Sequence, residues 1–173
     1  KQADYQISNF KDTETQWEML SKLELSYDDH FDLLDYSKKL GIEFLSTAFD
    51  FESLKFLVEE MALKRLKIPS GEITNAPFLL EHARTGCDLI VSSGCTNLDE
   101  LKSALEVIAF GLTASKTCQP NKSLFSEAYL SDEGQRALKN KVTLLHCTTE
   151  YPAPYSEINL RAIDTLANTF KLP

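Results

Sequence analysis

The sequence predicts an α/β fold, a portion of a (β/α)8 barrel. Three observations point to it. Short apolar runs that suit buried parallel strands alternate with helical patterns. The alternation occurs four times. The first three strands begin at 42, 65 and 88, each 23 residues after the last, a repeat of architecture rather than of sequence. A barrel of this kind takes about 250 residues. The 173 residues here therefore suit about four consecutive βα units after a helical segment. Four units leave two open sheet edges, and the chain stops at Lys171-Leu172-Pro173, where a fifth strand would begin. The expectation is a barrel fragment. A complete small doubly wound domain is the alternative.

Residues 1–12 are polar and irregular. A helix is expected over 14–25, carrying Trp17, Leu20 and Leu23. Ser26 and Asp29 form a variant capping box that opens a second helix, ending at Leu40 with Gly41 in the C′ position. Residues 42–47 read as the first strand. Asp50 can cap a helix over 51–61, and 65–69 is the second strand. Asn75 can cap a helix over 76–85, with Pro77 tolerated in its first turn and Gly86 at its end. The third strand covers 88–93. Thr96 and Asp99 make another capping signature before a helix over 97–110. Residues 111–140 break the rhythm with Thr113, Ser115, Pro120, Asn121 and Ser123. They are expected to form an inserted surface excursion with one short helix near 132–138. The fourth strand covers 141–147, and a last helix covers 156–170.

The composition is that of a soluble globular chain, 43% apolar and 25% charged. Its net charge of −8 comes from 18 basic against 26 acidic residues. Without a basic stripe, general nucleic-acid binding is not expected. The apolar run Val107-Ile108-Ala109-Phe110-Gly111-Leu112 is too short to span a bilayer, and no membrane partner is expected. No signal-peptide pattern opens the chain, although it starts at Lys1 without a Met. The cysteines at 87, 95, 118 and 147 lack C-x-x-C spacing and fit the reduced thiols of a cytoplasmic protein.

In barrels, reactive groups stand at the C-terminal strand ends. Those ends carry Ser46 and Thr47, then Lys67, Ser70, Gly71 and Glu72, then Ser92, Ser93 and Gly94, and finally His146 through Tyr151. Singly, such hydroxyls are turn or cap residues. Gathered beside a lysine, they suit a phosphate or carboxylate. Lys67 lies between Leu66 and Ile68 inside a strand. It either snorkels outward or points inward at the mouth, and the Ser70-Gly71-Glu72 run after it favours the inward reading. Glu72 adds an acid/base group. His146 and Cys147 are adjacent on a strand, face opposite ways and cannot pair directly. His30 and His82 are expected to be surface or satisfied helix residues. No two histidines have metal-ligand spacing, and no metal residues are assigned.

Four runs then carry a resemblance: Phe44-Leu45-Ser46-Thr47-Ala48-Phe49-Asp50, Lys67-Ile68-Pro69-Ser70-Gly71-Glu72-Ile73-Thr74-Asn75, Ile90-Val91-Ser92-Ser93-Gly94, and Leu144-Leu145-His146-Cys147-Thr148-Thr149-Glu150-Tyr151-Pro152-Ala153-Pro154. With the tail Asn159-Leu160-Arg161-Ala162-Ile163, they resemble the bacterial sialic acid (N-acetylneuraminate) synthases, a family that includes legionaminic and pseudaminic acid synthases. The resemblance covers the chain except for about 114–141. It implies a (β/α)8 catalytic barrel that condenses phosphoenolpyruvate with N-acetylmannosamine or a related N-acetylated hexosamine and releases phosphate. It also implies a divalent metal, Mn2+ or Mg2+, with ligands outside this segment, and a cytoplasmic homodimer. The family's C-terminal antifreeze-like domain would lie outside residues 1–173.

By the same resemblance, Thr47, Lys67 and Ser70 would hold phosphoenolpyruvate, and Ser92 and Thr149 would stand near its phosphate. Glu72 and Tyr151 would face the amino sugar. Glu72 and Lys67 are the catalytic candidates, Glu72 for proton transfer. Thr149 stands where the family varies, often showing Asn or Ser. Ser93-Gly94-Cys95-Thr96 replaces a Thr-Gly-Met run. Because the family's other substrate and metal residues lie on strands beyond this segment, the 173 residues alone are expected to be inactive. Two further readings compete: a non-catalytic half-barrel binding module, and an aldolase using Lys67 as a Schiff base.

Overall fold

The computed structural model describes residues 15–173. The expectation for residues 1–12 lies outside the described residues. The described residues divide into two compact units, one of residues 15–44 with 150–152, the other of residues 45–149 with 153–173.

The first unit holds α1 (Gln16–Leu23) and α2 (Tyr27–Leu40). Thr15 and Glu18 form the capping box of α1. Ser26 and Asp29 cap α2 as the sequence predicts: Ser26 Oγ accepts the Asp29 N–H at 3.1 Å, and the Ser26 N–H donates to the Asp29 carboxylate at 3.1 Å. Gly41 closes α2 at φ +71°. There its N–H reaches the Lys38 carbonyl, and the Ile42 N–H reaches that of Ser37, the paired bonds of a left-handed helix end.

The second unit carries the sheet. Asp50 caps α3 (Phe51–Lys55) by accepting the Ser53 N–H at 2.7 Å. The helix then widens into a π-helical turn over Phe56–Glu60. β1 (Arg65–Ile68), α4 (Ala76–Arg84), β2 (Asp88–Ser92) and α5 (Leu98–Thr113) follow. Then come α6 (Lys122–Leu130), α7 (Asp132–Lys141), β3 (Val142–Leu145) and α8 (Arg161–Phe170). The three strands are parallel, in the order β1-β2-β3.

Three expectations need correction. Residues 42–47 form no strand, so the described sheet has three strands rather than four. Their apolar run satisfies the pattern, but a strand exists only through ladder hydrogen bonds to a neighbour, and β1 is the sheet edge. The cap of α5 is Asn97 with Glu100, one residue beyond the expected Thr96 and Asp99. The Thr96 hydroxyl instead donates to the Ser93 carbonyl at 3.2 Å. Third, the 111–140 excursion is mostly helical. Of the polar residues that read as loop, Thr113 and Ser123 lie in helices and Asn121 is a cap: its Oδ1 accepts the Leu124 N–H at 3.0 Å, as Ser131 Oγ accepts the Gly134 N–H at 3.0 Å to cap α7. Phe125 of α6 then packs edge-on against Phe110 of α5, ring centroids 5.2 Å apart, and Leu138 of α7 is buried.

The core lies between the sheet and α4 and α5. Leu66, Ile68, Leu89 and Val91 are buried on one sheet face, with Phe78, Leu79, Leu101, Leu105 and Ile108 buried in the helices. A Cβ added to Gly111 would stand 2.5 Å from the Ala83 Cβ, so these two helices pack at glycine distance. On the far side of β3, the Leu144 N–H donates to the Pro173 carbonyl at 2.8 Å. Lys141 pairs with Asp88 at 3.0 Å beside the strand starts. Both are well exposed, so the pair adds little stability.

Candidate active site

Parallel strands put all their C-terminal ends on one edge, and residues in register present their side chains to the same face. Ile68, Val91 and Leu144 are in register, as are Lys67, Ile90 and Thr143. The first row begins with the buried Ile68 and Val91 on the helix-covered face. The second row is half-buried at Lys67 and Ile90 and exposed at Thr143. Lys67 therefore lies on the sheet face opposite α4 and α5. By the same alternation, Ser92 and its register partner Leu145 share that face at the C-terminal edge.

After β1, the chain tightens into a single 3-10 turn over Ser70–Glu72. Pro69 lacks an N–H and cannot extend the ladder. The Glu72 N–H closes the turn onto the Pro69 carbonyl at 3.0 Å. Ser70 and Glu72 are both half-buried. The Glu72 carboxylate accepts a hydrogen bond from Asn75 Nδ2 at 2.8 Å.

The tips of β2 and β3 are joined. The Leu145 carbonyl accepts both the N–H of Ser93 at 3.0 Å and its hydroxyl at 2.8 Å. The Cys147 thiol donates to the buried Ser92 hydroxyl at 3.6 Å. Gly94 passes so close to the Cys147-Thr148 backbone that a Cβ would meet the Thr148 carbonyl at 3.1 Å. These loops line a cavity of about 490 Å³ with His146, Asn159 and Arg161. The His146 ring is held by the Ile158 carbonyl.

The sequence-predicted residues thus divide. Lys67, Ser70, Glu72 and Ser92 occupy the C-terminal edge of β1 and β2. Thr47 is half-buried ahead of α3, and Thr149 is exposed beyond β3. Among the described residues, neither hydrogen-bonds to those four. Tyr151 is 61% exposed and belongs to the other compact unit. Sequence reasoning missed the Ser93 and Cys147 contacts, which depend on the register of two strands more than 50 residues apart. It also misread His82, expected to be a surface or satisfied helix residue. His82 is 0% exposed, its Nδ1 faces the Phe78 carbonyl at 2.9 Å, and its Nε2 has no hydrogen-bond partner among the described residues. Burial pulls its pKa below the usual histidine value, opposed by the Phe78 carbonyl and the Glu72 charge. Among the described residues, no three His, Cys, Asp or Glu side chains gather as a metal site. No described helix is long and apolar enough to cross a membrane.

Comparison with known proteins places this geometry in context. The NeuB family matches residues 1–173. The N,N'-diacetyllegionaminic acid synthase of Legionella pneumophila is 40% identical across the whole chain, which spans 42% of that protein. The enzyme of the same name from Campylobacter jejuni is 41% identical over 99% of the chain and 44% of its own length. The chain thus spans less than half the length of these relatives. Among solved structures, the N-acetylneuraminic acid (sialic acid) synthetase of Leptospira borgpetersenii serovar Hardjo-bovis, in complex with citrate, superposes with a TM-score of 0.69 at 26% identity. That match covers 96% of this chain and 49% of the other.

Proposed function

The chain belongs to the NeuB family, and from that premise we propose that residues 1–173 form part of the (β/α)8 barrel of a nonulosonic acid synthase, condensing phosphoenolpyruvate with an N-acetylated hexosamine. The observation that carries this reading is the placement of Lys67. By register its side chain lies on the sheet face away from the helices, near the edge where Ser92 ends β2 and Ser70 follows β1. One cation with hydroxyls around it suits the carboxylate and phosphate of phosphoenolpyruvate.

In this proposal, Lys67, Ser70 and Thr47 hold phosphoenolpyruvate, with Ser92 and Thr149 near its phosphate. C3 of phosphoenolpyruvate forms the new bond to the sugar aldehyde carbon, whose oxygen takes up a proton. Water adds to C2, and phosphate leaves as the keto group forms. Glu72 and Tyr151 face the sugar, and Glu72 moves the proton. Holding both substrates in register supplies much of the acceleration. The proposal extends to a cytoplasmic homodimer and to a divalent metal, Mn2+ or Mg2+, with ligands outside these residues.

One observation favours a particular sugar. The relatives at 40% and 41% identity are named N,N'-diacetyllegionaminic acid synthases, whereas the sialic acid synthetase structure shares 26%. A di-acetamido hexosamine is therefore favoured over N-acetylmannosamine. The test is phosphate release from phosphoenolpyruvate by the complete protein with manganese and each sugar in turn. Release with the di-acetamido sugar supports the favoured reading. Release with N-acetylmannosamine alone supports the sialic acid reading. Release with neither supports a non-catalytic binding module. Residues 1–173 alone are expected to release none.

A further inference from the structure

The Asn75 side chain uses both ends of its amide. Its Oδ1 accepts the Phe78 N–H at 3.3 Å and so caps α4. Its Nδ2 donates to Glu72 Oε2 at 2.8 Å, while the Asn75 N–H donates to the Glu72 carbonyl at 2.9 Å. Glu72 is thereby tied to the start of a helix packed on the sheet, through one residue and at two points. Capping alone needs only the oxygen, which Ser or Asp supplies equally well. The nitrogen is what distinguishes Asn here, and it is spent on the carboxylate. A Glu side chain on a three-residue turn has three free torsions, and a charge-assisted hydrogen bond to a fixed donor removes most of that freedom.

We propose that Asn75 is a positioning residue that sets the Glu72 carboxylate toward the amino sugar. This rests on the reading of Glu72 given above. Asn75 does not touch substrate; it acts through Glu72.

Asn75→Asp separates the two roles. The new carboxylate still caps α4, but it lacks the donor and repels Glu72. The experiment is a double-mutant cycle in the complete protein over wild type, Asn75→Asp, Glu72→Gln and the double variant. The readouts are hexosamine Kd by calorimetry, for N-acetylmannosamine and the di-acetamido sugar, and thermal melting. Asn75→Asp should melt like wild type and weaken hexosamine binding about tenfold, the factor set by ~1.4 kcal/mol. Phosphoenolpyruvate Kd should stay within about twofold. In the Glu72→Gln background the same change should cost less than about twofold, because no carboxylate remains to be held or repelled. An equal loss in both backgrounds, or none in either, overturns the positioning role and leaves Glu72 in place. Hexosamine binding unaffected by Glu72→Gln instead overturns the reading of Glu72, and the positioning role with it.

Discussion

Gly94 lies against the Thr148 carbonyl, where a Cβ would stand 3.1 Å from the oxygen and 3.3 Å from the Cys147 Cβ. That approach lets Ser93 reach the Leu145 carbonyl with both its N–H and its hydroxyl. It also holds Cys147 beside Ser92. A Cβ at position 94 would require these neighbours to give by a few tenths of an ångström. Gly94→Ala should destabilise the protein by about 1 kcal/mol, the low end of the usual cost of overpacking. Phosphoenolpyruvate affinity should fall with it. Urea unfolding and calorimetry read the two effects. An unchanged unfolding midpoint would show that the tips have room to move.

The buried His82 should make stability depend on pH. Burial holds its ring neutral in the folded protein, below the usual value of 6.5. The unfolded chain exposes the ring, which then takes up a proton more readily. The unfolded state therefore binds more protons as pH falls, and folding stability drops from about pH 6.5 downward. Above that pH the contribution is fully present. His82→Leu fills a similar space without the unpartnered nitrogen and should flatten the fall below about pH 6.5. Urea midpoints of both proteins across that range measure it. Parallel curves would rule His82 out as the source.

Helix α6 should depend on its cap. Asn121→Ala removes the acceptor for the Leu124 N–H and should cost about 1 kcal/mol, whereas Asn121→Asp should cost little. Hydrogen exchange at the Leu124 and Phe125 amides should quicken in the alanine variant alone. Equal exchange in all three proteins would deny the cap its role.

Much of the second unit was legible in the sequence because its signals are local. Asp50 and Asn75 announce their helices within three residues, and Leu89-Ile90-Val91 is a buried strand by composition alone. Where the reading failed, the deciding partner was distant. Residues 42–47 have the pattern of a strand but take no place in the ladder. Asn121 and Ser131 look like loop residues until the helices behind them find Phe110 and the core. His82 looks like an ordinary helix residue because burial is set by what packs over it. At the candidate site, the types and order of Lys67, Ser70, Glu72 and Ser92 were readable. The Ser70-Gly71-Glu72 run favours an inward Lys67, but a strand offers two faces, and the packed helices decide between them.

Lys67 is also where the proposed function is most directly exposed to test. The measurement is phosphoenolpyruvate Kd by calorimetry for the complete protein and its Lys67→Met variant, with circular dichroism as the control for folding. Met keeps the apolar stem out to the ε-carbon and removes the ammonium, with its charge and its donors. Binding about a hundredfold weaker in a normally folded variant is the predicted result, with Lys67→Arg recovering it only in part. Equal affinity in the wild type and Lys67→Met would contradict the anion-binding role of this face.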